Sequence, residues 1–150
     1  MENVLYHMTY HPSMEISLVN GNNKVGKGVW CFNLLPGDKP LYTSTKGILT
    51  NIGGTCNGCC EGCKDKCYAT RDAKLHHNAC IPAWGKNTLI MRNNIDNMFE
   101  QLKSGLIKKK AKVLRWHSAG EIESYNYLLH MVKLAVEMPN VQFYCYTKRF

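Results

Sequence analysis

Five cysteines lie within the segment TCNGCCEGCKDKCYA at residues 55–69, and they are Cys56, Cys59, Cys60, Cys63 and Cys67. The whole chain has eight cysteines in 150 residues, which is a smaller fraction than disulfide-rich secreted proteins carry. In a reducing compartment, crowded cysteines bind metals or carry out redox chemistry rather than form disulfides. The segment therefore predicts a metal-binding site.

The spacing of the cysteines is compatible with zinc. Cys56-x₂-Cys59 and Cys60-x₂-Cys63 are pairs of the kind that bind zinc tetrahedrally. Zinc ribbons, however, separate their two pairs by a dozen or more residues, and the adjacent side chains of Cys59 and Cys60 diverge. A zinc site could instead combine one pair with three downstream side chains, those of His76, His77 and Cys80.

The spacing is also compatible with an iron–sulfur cluster, whose irons need thiolates from one loop. Cys56-x₃-Cys60-x₂-Cys63 matches the pattern of radical S-adenosylmethionine (SAM) enzymes, in which three cysteines hold a 4Fe–4S cluster and the fourth iron binds SAM. The aromatic residue usual before the third cysteine is missing here, because that position is Gly62.

Hydrophobic patterning predicts an α/β fold. Three apolar runs rich in β-branched or aromatic residues predict strands at 28–35, 113–117 and 141–146. Apolar residues at intervals of about 3.6 predict one helix over 87–104, capped by Asn87 and Gly105, and a second from Ser124 to Pro139. Helices between strands favour parallel pairing through right-handed crossovers.

The same pattern suggests how the chain is organised. A parallel sheet normally has helices on both faces, and no helix follows the third predicted strand. We therefore expect residues 1–150 to form a single domain that is the N-terminal part of a longer, incomplete (β/α) barrel-like domain. The Cys-rich loop follows its first strand, and residues 1–27 are expected to be irregular.

Candidate cofactor-binding residues lie at the carboxyl ends of the second and third predicted strands, because ligands bind beyond the carboxyl ends of parallel strands. They are Arg115, His117, Ser118, Gly120, Glu121 and Lys148. Ser118-Ala-Gly-Glu121 is similar to the Gly-Gly-Glu segment with which radical SAM enzymes hold the methionine amino group, so Glu121 is expected to bind an ammonium group. The structural alternatives are that Glu121 stabilises the dipole of the following helix and that His117 is a hydrogen-bonded structural residue.

Charge and hydropathy narrow the range of partners. The formal net charge is +8, and Lys108, Lys109, Lys110 and Lys112 form a basic run, so nucleic acid is one possible partner. No apolar run is long enough to span a membrane, and the first twenty residues lack a secretory signal pattern. We therefore expect a cytoplasmic protein.

The chain contains, in this order, Phe32-Asn33-Leu34, Thr55-Cys56, Cys63, Cys67-Tyr68-Ala69, Arg115-x-His117-Ser-Ala-Gly-Glu-Ile122 and Tyr144-x-Tyr146-Thr-Lys148. Together these segments resemble the gene product 88 family of phages and mobile elements. It implies a phage protein in the cytoplasm of a bacterial host, and it implies the ligand set Cys56, Cys63 and Cys67 in place of Cys56, Cys60 and Cys63. The insertion between Pro36 and Thr55, and the additional Cys59 and Cys60, depart from the family pattern.

These observations lead to one function and one alternative. We expect a protein that binds an iron–sulfur cluster, of the 4Fe–4S type, and, if it is an enzyme, uses it with SAM in radical-SAM-like chemistry on an unknown substrate. The alternative is a zinc-stabilised module that binds nucleic acid.

Overall fold

The computed structural model of the chain describes residues 6–21, 24–40, 48–49 and 52–149. In chain order, its elements are β1 (Tyr6–His7), β2 (Leu18–Asn20), β3 (Val29–Phe32), β4 (Ile48–Leu49), α1 (Glu61–Asp65), α2 (Tyr68–Leu75), α3 (His77–Asn93), α4 (Ile95–Lys108), β5 (Val113–Trp116), α5 (Tyr125–Glu137) and β6 (Gln142–Cys145). Within these ranges, no helix is long and apolar enough to cross a lipid bilayer.

Four strands form a mixed sheet in the order β2-β3-β5-β6. Strands β3, β5 and β6 run parallel, as predicted, and β2 lies antiparallel to β3. Helices α1 to α4 lie between β3 and β5 in the chain, and α5 lies between β5 and β6. The α/β class is confirmed, whereas right-handed crossovers, a barrel-like sheet and a longer domain stay predictions.

One face of the sheet carries the main core. Phe32 and Trp116 are register partners whose rings meet edge to face at 6.0 Å. Phe99 of α4 and Tyr127 of α5 pack onto the same face, with ring centroids 5.9 and 6.3 Å from that of Trp116. Because large aromatic side chains bury much apolar area, this cluster fixes the carboxyl end of β5 relative to both helices.

The single helix predicted over 87–104 is wrong, because α3 ends at Asn93 and α4 begins at Ile95. Asn94 caps α4 by accepting a hydrogen bond from the Asn97 N–H at 3.2 Å. Asn87 is buried inside α3 rather than capping a helix, and Gly105 lies within α4. The apolar period runs through the break, because both helices contribute buried residues to the same core.

Residues 1–27 were expected to be irregular, but they contain β2 and, in part, contribute to the core. Met14, Ile16 and Leu18 pack against the main cluster. Gln101 of α4 holds this segment in place by accepting from the Ile16 N–H at 2.9 Å and donating to the Met14 carbonyl at 3.0 Å. The apolar residues at every second position are a strand signal that the polar composition of the segment obscures.

The buried side chain of Asn87 links α3 to two other segments. Its Oδ1 accepts from the Ser17 N–H at 2.7 Å, and its Nδ2 donates to the carbonyls of Ser17 and Asn33, both at 2.9 Å. Asn33 lies immediately after β3, so this amide connects the N-terminal segment to the edge of the sheet where the strand ends.

Replacing Asn87 should destabilise the fold. In Asn87→Ala, three backbone groups lose their partner in a buried environment, and we expect a loss of about 3 kcal/mol in the free energy of unfolding. The matched control is Asn126→Ala on the exposed surface of α5, which should change stability by less than about 0.5 kcal/mol. Equal urea midpoints for the two variants would contradict this role.

Candidate functional site

The loops that follow β3, β5 and β6 meet at one edge of the sheet, where Glu121 joins them. The Glu121 N–H donates to Thr55 Oγ1, in the loop after β3, at 2.9 Å. The Glu121 carboxylate accepts from the Thr147 hydroxyl at 2.7 Å and from the Lys148 N–H at 3.1 Å, both after β6. One residue after β5 thus holds the two neighbouring loops in place.

Thr55 fixes the start of the cysteine loop. It is fully buried, and both its N–H and its hydroxyl donate to the Leu35 carbonyl, at 2.8 and 2.9 Å. The next residue, Cys56, donates its N–H to the Gly37 carbonyl at 2.9 Å. Cys56 is therefore held directly beyond the end of β3.

Arg92 holds the turn before Thr55. Its guanidinium donates to the carbonyls of Gly53 at 2.9 Å and Gly54 at 3.3 Å, and it forms an ion pair with Glu123. A Cβ on Gly54 would lie 2.1 Å from the Pro36 carbonyl oxygen, so this close backbone contact requires glycine. The Arg92 side chain thus links this turn to the loop after β5, which carries Glu123.

A cavity of about 360 Å³ opens at this edge, and we call it the rim pocket. Three of the clustered cysteines line it, namely Cys56, Cys63 and Cys67. It is also lined by all six residues predicted to bind a cofactor, which are Arg115, His117, Ser118, Gly120, Glu121 and Lys148. The structure therefore brings together candidates that are far apart in the sequence.

The remaining two clustered cysteines lie elsewhere. Cys59 lines a second cavity of about 590 Å³, which also borders Cys56, Cys63 and Cys67. Cys60 is exposed, precedes α1 as its N-cap residue and lines neither of these two cavities. Cys56, Cys63 and Cys67 thus form a wall common to both cavities.

The three thiols of this wall lie in different electrostatic surroundings. Burial raises the pKa of Cys56 to about 11, and the nearby Cys59, Cys67 and Glu121 raise it as well. Cys67 Sγ caps α2 by accepting from the Thr70 N–H at 3.4 Å. The Lys148 ammonium lies 3.6 Å from Cys63 Sγ.

Ser118 and Gly120 have structural partners at the edge of the pocket. The Ser118 hydroxyl donates to Asn33 Oδ1 at 2.8 Å, and its carbonyl accepts from the Tyr68 hydroxyl at the start of α2. Gly120 has φ +90°, and a Cβ there would lie 2.7 Å from that of Leu34. Only glycine fits this conformation and this contact.

Glu121 does not stabilise the dipole of a following helix. The next helix, α5, is capped by Ser124, and Glu121 lies three residues before that cap. Instead, the Glu121 carboxylate is oriented by hydrogen bonds, including one to Oε1 from the Ile122 N–H at 2.8 Å. Since a carboxylate can accept about four hydrogen bonds, one acceptor position on Oε2 has no donor among the described residues.

His117 is buried where β5 ends. Its Nε2 lies 2.8 Å from the hydroxyl of Tyr127, as expected for a hydrogen-bonded structural histidine. Burial lowers its pKa to about 4, so the ring is neutral at pH 7. The neighbouring Arg115 places its guanidinium over the Tyr146 ring, 5.4 Å from the centroid.

His76, His77 and Cys80, which were considered for a zinc site, do not line the rim pocket. His76 and Cys80 line a neighbouring groove together with Cys31, and this groove shares Tyr68, Ala69, Arg115 and Ser118 with the rim pocket. In the part of the chain that the structure describes, no three His, Cys, Asp or Glu side chains are grouped closely enough to hold a single metal ion.

The basic run lies at the opposite end of the sheet from the rim pocket. All four lysines are exposed: Lys108 ends α4, and Lys109, Lys110 and Lys112 lie between α4 and the first residue of β5. Lys109 also lies over the Trp30 ring, 4.6 Å from its centroid. Any nucleic acid bound there would contact a surface separate from the cysteines.

Sequence reasoning did not identify three residues that position the site, namely Asn33, Thr55 and Arg92. Asn33 and Thr55 lie in motifs of the family pattern, but nothing in the sequence assigns their hydrogen bonds. Arg92 donates to a carbonyl 39 residues away, and no local pattern signals such a contact.

The environment of Cys56 predicts how the metal-free protein reacts with iodoacetamide. Because the thiolate is the reactive form and the pKa is about 11, alkylation of Cys56 should accelerate about tenfold per pH unit from pH 7 to pH 10. Mass spectrometry of the Cys56 peptide measures the rate, and the exposed Cys60 serves as the internal reference. A rate that levels off below pH 9 would contradict the predicted environment.

Comparison with known proteins places the chain in a family. A family model described as Gene product 88 matches residues 17–150. Searches of curated proteins and of solved structures found no match. With most of its length matched by this model, the chain belongs to the gene product 88 family.

Proposed function

We propose that this phage-family protein binds an iron–sulfur cluster, of the 4Fe–4S type, through Cys56, Cys63 and Cys67. The observation that carries the proposal is that these three cysteines, and not Cys59 or Cys60, line the rim pocket with the predicted cofactor-binding residues. The proposal favours the ligand set of the family pattern over the set that includes Cys60.

The chemistry of the three thiols supports a cluster. A single zinc ion needs all of its sulfur ligands about 2.3 Å from one point. In a cluster, each thiolate binds a different iron, so the sulfur atoms lie farther apart, as side chains along a pocket wall do. The Thr70 N–H and the Lys148 ammonium can stabilise bound thiolates at Cys67 and Cys63.

The rim pocket also supports binding of SAM. Three hydrogen bonds orient the Glu121 carboxylate and leave an acceptor position for the α-ammonium group of the ligand. When bound, a reduced 4Fe–4S cluster supplies the electron for reductive cleavage of SAM. The residues of this chain would hold SAM in position and keep its amino group charged. The substrate of such chemistry is unknown.

Two cysteine variants test the ligand set, since they separate the two alternatives. We expect Cys67→Ser to lose the cluster and Cys60→Ser to retain it, with Cys80→Ser as a control for a half-buried cysteine outside the pocket. Iron and sulfide content, with the visible absorption of the anaerobically purified full chain, gives the measurement. Loss in Cys60→Ser with retention in Cys67→Ser would select the other ligand set.

Replacing Glu121 should weaken SAM binding. Because a hydrogen bond to a charged group contributes about 1.5–3 kcal/mol, calorimetry on cluster-loaded Glu121→Ala should give an affinity at least about tenfold lower. Glu100→Gln, an exposed acidic position on α4, is the control and should bind as the unaltered protein does. Unchanged SAM affinity in Glu121→Ala would contradict the proposed role.

A zinc-stabilised nucleic-acid-binding module is the second candidate, supported by the exposed lysines between α4 and β5. It predicts a colourless protein whose affinity for DNA or RNA falls steeply with salt concentration. Either activity would take place in the cytoplasm of a bacterial host.

A further inference from the structure

We propose that His117 and Arg115 form a carboxylate-binding subsite in the rim pocket, with His117 Nδ1–H and the Arg115 guanidinium as the donors. This inference rests on the proposed function, in which the rim pocket holds a ligand. It adds that the protein recognises this ligand by a carboxylate group. It therefore predicts a ligand that carries both an ammonium group, near Glu121, and a carboxylate.

Both proposed donors are buried nitrogen atoms. His117 is 5% exposed, and its Nδ1 has no hydrogen-bond partner among the described residues. The Nε of Arg115 is likewise buried and without a hydrogen-bond partner in the same part of the chain. Buried polar atoms are nearly always hydrogen-bonded, and both residues line the rim pocket, so these two atoms indicate a missing partner. Arg115 also lines the neighbouring groove that contains Cys31.

The hydrogen bond to Tyr127 indicates which nitrogen of the His117 ring carries the proton. Within the described ranges, the hydroxyl of Tyr127 is hydrogen-bonded only to His117 Nε2, at 2.8 Å. If that hydroxyl donates to Nε2, the ring proton lies on Nδ1 and one buried donor lacks a partner. If Nε2 instead donates to the hydroxyl oxygen, both the hydroxyl proton and Nδ1 lack partners. The first arrangement leaves fewer groups unsatisfied, so Nδ1 is a donor.

The Arg115 guanidinium supplies a positive charge at the rim pocket. The Arg115 guanidinium forms no ion pair with the described residues and lies over the Tyr146 ring. An aromatic face stabilises the positive charge but accepts nothing from Nε–H in the guanidinium plane. A neutral N–H donor and a cation without an ion pair suit an anionic acceptor, and carboxylates match guanidinium geometry well.

The backbone at His117 adopts an energetically unfavourable conformation that positions the ring. His117 has φ +53°, a left-handed conformation that non-glycine residues seldom adopt. Its N–H donates to the Phe32 carbonyl at 2.9 Å, and its ring contacts Trp116 and Tyr127 at centroid distances of 6.0 and 5.5 Å. The turn ends β5 and fixes the ring between the aromatic core and the pocket.

Nuclear magnetic resonance of the cluster-free protein tests the proton assignment without any ligand. We expect the ¹⁵N spectrum of His117, assigned by comparison with His117→Gln, to show the Nδ1–H form at pH 7. The Nε2–H form would overturn the proposal. This measurement does not depend on the cluster, so its failure is distinguishable from failure of the proposed function.

Binding to the cluster-loaded full chain tests recognition of the carboxylate. SAM should bind at least about tenfold more tightly than its decarboxylated analogue. In His117→Phe and in Arg115→Gln, this ratio should approach one while the affinity for the analogue stays within about twofold. A ratio that is unchanged in both variants would overturn the proposal.

Two additions keep the test decisive. Because His117→Phe leaves the Tyr127 hydroxyl without a partner, the double variant His117→Phe/Tyr127→Phe removes both groups and should fold while losing the preference for SAM. If the protein binds neither cluster nor SAM, the His117 resonances are titrated with formate. A shift that is absent in Arg115→Gln would support the subsite, and no shift in the unaltered protein would overturn it.

Discussion

The hydrogen bond from the Glu121 N–H to the buried Thr55 hydroxyl is the contact on which the site depends. It joins the loop after β5 to the loop that carries the cysteines, and the Glu121 side chain joins both to the end of β6. Three neighbouring parallel strands end at this edge, so a single residue at the central strand can reach both of its neighbours. Together with the contacts of Arg92 to the turn before Thr55 and to Glu123, this junction holds Cys56 beside the candidate ligand-binding residues.

The rim pocket is lined by a thiol that resists ionisation and by hydrogen-bond donors that lack an acceptor among the described residues. On one wall, burial raises the pKa of the Cys56 thiol to about 11, so this thiol resists ionisation unless a cation accompanies it. On the other, donors at Arg115 and His117 have no acceptor among the described residues. Buried groups of this kind destabilise a fold when they are left unsatisfied. Their presence in one cavity is readily explained if a metal cofactor and an anionic ligand group occupy it together.

The sequence predicts the parallel part of the sheet well, because β3, β5 and β6 are short runs of β-branched and aromatic residues. It predicts the break at Asn94 poorly, since neither glycine nor proline marks it and the apolar period continues across it. Strand β2 was readable from the alternation of Met14, Ile16 and Leu18, but a polar neighbourhood obscured it. Local patterns thus define elements more reliably than they define boundaries.

The sequence predicted which residues lie at the candidate site but not the contacts that orient them. The rule that ligands bind at the carboxyl ends of parallel strands identified the residues from Arg115 to Lys148 that line the pocket. The contacts that orient them join residues such as Thr55 and Glu121, which are 66 positions apart. The position of the proton on the His117 ring depends on the hydrogen bond to Tyr127 and on the lack of a described partner at Nδ1. Only the three-dimensional packing reveals these two features.

The central claim is that Cys56, Cys63 and Cys67 hold an iron–sulfur cluster at the edge of the sheet. The most direct test is the analysis of iron, zinc and acid-labile sulfide in the anaerobically purified full chain, with electron paramagnetic resonance after reduction. We predict a brown protein with about four irons and about four sulfides per chain. A colourless protein with about one zinc ion per chain and no sulfide would contradict it.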